Sequence, residues 1–66
     1  MYADIQAIRA EMARNRTKQS DIATALGVSQ QSVSRRLCGT VPLTWEEVDV
    51  IAATIGCSLD SITRKE

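Results

Sequence analysis

Three side chains within six residues, Gln30, Gln31 and Arg35, carry groups built for planar hydrogen-bond recognition. A glutamine amide offers a donor and an acceptor side by side, and a guanidinium offers a rigid fork of donors. On the edges of duplex DNA these match adenine and guanine bidentately, while the neighbouring Ser32 and Ser34 are short enough to let a helix approach the major groove closely. Just upstream, Arg14, Arg16, Lys18 and Gln19 cluster where a helix should begin. Cations beside free backbone amides there suit a phosphate. Catalytic chemistry finds no such support. Histidine and a glycine-rich phosphate loop are both missing, and the acidic residues stand singly apart from Glu46-Glu47, so no general acid/base pair can be nominated and no enzyme is expected. Cys38 and Cys57, nineteen residues apart, form neither a zinc spacing nor a disulfide framework. With no histidine to activate them, they read as small apolar fillers near helix ends, and no cofactor or metal is implied.

The elements that must position these groups are legible around them. Residues Thr17 to Gly39 read as two short helices joined by a tight turn. Thr17 is a candidate N-cap for the first, with Ile22 and Leu26 on its apolar face. Gly27 stops that helix, since glycine takes the left-handed conformation that costs other residues energy, and Val28 and Ser29 complete a three-residue turn. Ser29 caps the second helix, which spans about 29–37 and buries Val33 and Leu37, and Gly39 ends it. At 100° per residue, Gln31 and Arg35 then lie on the face opposite the Val33/Leu37 stripe, with Gln30 at the tip. Ala23 is small enough to permit a steep crossing of the two helices.

The run from Gln19 to Ala23 and on through Gly27-Val28-Ser29-Gln30-Gln31-Ser32-Val33 resembles the helix-turn-helix of the lambda repressor and Cro family. The similarity extends over essentially the whole chain. It implies an all-α, compact five-helix lambda-repressor-like domain over residues 1–66, with helices 2 and 3 as the helix-turn-helix. It also implies that Gln30, Gln31 and Arg35 read base edges. The expected contacts to the DNA backbone are Arg14, Arg16, Lys18 and Gln19 at the helix start, with Ser29, Ser32, Ser34 and Arg36. Arg36 stands where that family usually has a core aliphatic, so its stem must lie over the core with the guanidinium sent outward, or reach a phosphate.

The flanking segments supply the support. Asp4 to Arg14 reads as a helix with Ile5, Ile8 and Met12 on one stripe. Thr40 to Leu43 is a loop short of charge. Thr44-Trp45-Glu46-Glu47 is a capping box, with Leu43 and Val48 as its hydrophobic staple, and opens a helix running to about Ile55 that Gly56 stops. Trp45 is expected to pack as a lid. Ser58 caps a last short helix in which Leu59 and Ile62 close the core, and Arg64-Lys65-Glu66 is a frayed polar end.

Charge patterning fits a polyanionic partner. The chain is formally neutral, but residues 1–40 hold six basic and three acidic groups, a balance of +3, and residues 41–66 hold the compensating −3. With 44% hydrophobic residues and Val50 to Ala53 as the longest aliphatic run, neither a membrane span nor a signal peptide is expected, and a reducing bacterial cytoplasm is the natural setting. One helix reads only about four or five base pairs, which calls for a homodimer on a palindromic operator, the pairing formed there. Val50, off the inward stripe of helix four, with Cys57, Leu59 and Ile62 beside it, is the expected patch. The function so read is that of a small Cro-type or immunity repressor of phage or prophage origin. The competing reading, a protein-interaction module such as an antitoxin subunit, would need acidic or large apolar residues on the outer face of the second helix. Gln31 and Arg35 occupy it instead.

Overall fold

The computed structural model describes residues 2–64. Five helices are present among them: α1 (Ile5–Arg14), α2 (Gln19–Leu26), α3 (Gln30–Leu37), α4 (Trp45–Ile55) and α5 (Leu59–Ile62). Two short strands, β1 (Tyr2–Ala3) and β2 (Thr63–Arg64), pair antiparallel, Tyr2 against Arg64 and Ala3 against Thr63. The fold is the expected all-α five-helix domain with this one addition. A two-residue strand has no side-chain period to betray it, so the pairing is invisible to pattern. It also revises the frayed end: Arg64 lies in β2 and its Nε sits 3.1 Å from Asp4 Oδ2, whereas Lys65 and Glu66 fall outside the described residues.

Asp4 is the knot of that closure. Its Oδ1 accepts from the Ala7 amide at 3.1 Å as the cap of α1, and its own amide donates to the Ile62 carbonyl at 2.8 Å. Asp4 therefore starts the helix with one carboxylate oxygen and holds the C-terminal segment with the other and with its backbone amide.

The core is one cluster drawn from all five helices: Ile8 and Met12, Ile22 and Ala23, Val33 and Leu37, Val48, Ile51, Ala52 and Ile55, and Ile62. Each fully buried Ile or Val contributes about 1.5–3 kcal/mol relative to exposure. The apolar stripes expected for α3 and α4 face it, and so do Ile8 and Met12 of α1, whereas Ile5, the first residue of that stripe, is only half-buried and lies outside the cluster. Two expectations at the α5 end do not hold. Leu59 is exposed, because the four-residue helix turns only Ile62 inward; and Ile62, at 0% exposure, is sealed in the core and offers nothing to an interface. Nor is Trp45 a packed lid: it is 49% exposed and forms a wall of a shallow depression with Tyr2, Ala3, Leu43 and Val48. Of the two cysteines, Cys57 is half-buried as expected and Cys38 is exposed. Burial, and then the Glu11 charge, push the Cys57 thiol up from its ordinary value.

Candidate nucleic-acid interface

The geometry of the interface begins where α1 stops. The Thr17 amide donates to the Met12 carbonyl at 2.8 Å and the Arg16 amide to Ala13 at 3.3 Å, the paired bonds of a Schellman closure. Arg16 takes the left-handed position in it, with φ 55°. Thr17 is thereby committed to the exit of α1. The cap of α2 falls on Lys18 instead, one residue later than expected. Lys18 has no side-chain acceptor, and the end is satisfied from the other direction: Asp21 Oδ2 accepts from the Lys18 amide at 2.9 Å. One amide expected to be open to a phosphate is therefore already taken.

Between the two central helices the turn forms as the residue types require. Gly27 is left-handed at φ 71°, and the Val28 amide reaches back to the Ala23 carbonyl at 3.0 Å. The chain re-enters a helix at Ser29, whose Oγ accepts from the Ser32 amide at 3.1 Å. Ala23, buried, lets α2 and α3 pack against each other. Val33 and Leu37 go inward, and Gln30, Gln31 and Arg35 are all exposed on the outer side of α3.

Around this face, Arg16, Lys18 and Ser29 are exposed and Gln19, Ser32 and Ser34 half-buried. Arg14 is 74% exposed although its guanidinium lies 3.3 Å from Glu11. In water such a pair is weak and yields readily to a stronger anion.

Arg36 does not share this face. Its Nε donates to Glu47 Oε2 at 3.0 Å, and its NH1 donates to the Ser32 carbonyl at 3.1 Å and to Ser32 Oγ. The side chain is largely buried, and its head is held by α4 and not sent outward. Sequence reading missed this partner because positions 36 and 47 share no helix and no local period. Glu47 was visible only as half of the capping box, which is present: Oε1 accepts from the Thr44 amide at 3.0 Å, and Thr44 Oγ1 accepts from the Glu47 amide at 3.2 Å. The Thr44 amide and, behind it, Arg36 hold the Glu47 carboxyl below its ordinary value against the opposing effect of burial.

Among the described residues, no group of three or more potential ligands gathers as a metal site, and no helix is long and apolar enough to cross a membrane.

Residues 5–65 match the family model described as the BetR domain. No curated protein and no solved structure matches the chain.

Proposed function

The chain belongs to the BetR domain family and is a small helix-turn-helix-type DNA-binding regulatory domain; from that premise we propose that it is a sequence-specific repressor that occupies a duplex operator. The observation that carries this reading is the outer face of α3, where Gln30, Gln31 and Arg35 stand exposed on a helix whose opposite side is anchored by Val33 and Leu37. Amide and guanidinium groups so presented are suited to base edges, and an acidic or large apolar face, as a protein partner would need, is not what α3 offers. Arg14, Arg16, Lys18, Gln19, Ser29 and Ser34 are the backbone contacts in this reading, with Ser32 reduced to a hydroxyl shared with Arg36.

The mechanism is exclusion: a bound domain denies the site to other proteins, without catalysis and without a ligand. The finer assignment is to a Cro-type or immunity repressor of a phage or prophage, working in the bacterial cytoplasm. A second copy, bound to the other half of a palindrome, extends the sequence read. Its contact draws on Val50 and Leu59, with Cys57 at the margin.

Selection of duplexes from a random pool on the purified protein tests the proposal. The expected result is one enriched palindromic sequence. Enrichment of no sequence would sink it.

A further inference from the structure

Arg35 and Arg36 are adjacent in sequence and diverge completely in space. Arg35 is exposed, while the Arg36 side chain is only 15% exposed and that of Glu47 20%. Both Nε and NH2 of Arg36 lie 3.0 Å from Glu47 Oε2. NH1 turns back to Ser32, one turn earlier on the same helix. The other oxygen of Glu47 is fixed by the Thr44 amide at the start of α4. A single chain of charge-assisted bonds thus runs from the N-cap of α4, through Glu47 and Arg36, into the first half of α3.

Among the described residues this is the one side-chain polar link between α3 and another element. The rest of the seat is apolar and consists of Val33 and Leu37. Apolar burial is non-directional, so a helix held by two residues on one stripe can roll or slide slightly at little cost. Hydrogen bonds to a fixed carboxylate are directional and oppose that motion. Reading a base edge needs groups held within about 0.5 Å and 10–20° of their productive placement. The pair also cancels a carboxylate that would otherwise stand uncompensated beside a helix meant to meet a polyanion.

We infer that Arg36 is a positioning residue: its bond to Glu47 sets the rotation of α3, so that sequence discrimination depends on an ion pair behind the reading surface. This rests on α3 being the DNA-reading helix.

The experiment uses the full chain with Arg36→Met and, as a milder variant that keeps the Thr44 acceptor, Glu47→Gln. Affinities for the selected site and for random duplex are measured by fluorescence anisotropy at several salt concentrations. Amide hydrogen exchange is followed on the free protein. In both variants the ratio of specific to random affinity falls roughly tenfold, the loss of one well-aligned base contact, while the salt slope stays unchanged. The α3 amides exchange faster and those of α1 do not. An equal loss on both duplexes for Arg36→Met, with the slope reduced by about one unit, would make Arg36 a phosphate contact and overturn the inference; so would a gain on both duplexes for Glu47→Gln. Unchanged discrimination also overturns it. Failure of the wild-type chain to bind any duplex removes the DNA reading, and the exchange rates of the free protein then decide by themselves whether the pair holds α3.

Discussion

Gln31 and Arg35 are one turn apart on the exposed side of α3, and their contribution should appear only where the right bases meet them. Replacing either with Ala should cost about 1–3 kcal/mol on the preferred site and little on random DNA. Anisotropy titrations on the two duplexes measure the difference, and equal losses would remove these residues from base reading. Arg16 makes the opposite bargain between stability and binding. It is the one non-glycine residue with positive φ among the described residues, a conformation that costs an L side chain about 1–2 kcal/mol. Arg16→Gly should therefore raise stability by roughly 0.5–1 kcal/mol in urea unfolding, glycine's extra freedom in the unfolded chain offsetting part of the relief. The same change should reduce the salt slope of DNA binding by about one unit. Glu47 links residue chemistry to pH. Its carboxyl titrates below 4.5 in the folded chain, so the stabilisation it provides is complete above that value and is lost as pH falls through the folded value. The difference in melting temperature between wild type and Glu47→Gln should be constant from pH 7 to pH 5 and shrink below 4.5.

At the scale of elements, helix ends were the most legible part of this chain. Thr44 and Glu47, Ser29, Gly27, Gly39 and Gly56 are residue types with one strong local use, and each stands at a helix end. The failures share a cause. Lys18 is a poor cap by type and serves because Asp21 reaches back to its amide. Thr17 looked better and was already claimed by α1. Leu59 looked apolar enough for the core, and a four-residue helix has room to bury only one such side chain. The Arg36–Glu47 bond and the β1/β2 pairing join residues distant in sequence, which periodicity cannot see. Gly27 offers a clean test of a locally legible position. A Cβ there would meet nothing within 4 Å, so Gly27→Ala should destabilise by conformation alone, about 1–2 kcal/mol in chemical unfolding. A much larger loss would mean that the turn itself rearranges.

For the whole molecule, the proposed pairing of two copies on one operator predicts that Val50→Glu abolishes cooperative binding to a full palindrome and leaves half-site affinity intact, with a small fall in melting temperature because Val50 is half-buried beside Glu46 and Glu47. Gel-shift stoichiometry with undiminished cooperativity in that variant would move the contact elsewhere; the open depression between Tyr2 and Trp45 is the next place to look. The strand pair has a mechanical consequence of its own. Tyr2 faces Arg64 directly, so the two ends of the described chain lie side by side. Tension applied through those two ends peels the ladder open from its outer rung, loading its few bonds one after another, and reaches the Asp4 knot only when they have gone. Bridged instead by a short flexible linker, the same two points would close the chain into a ring, and a cut in the loop between Thr40 and Leu43, past the end of α3, would supply new ends.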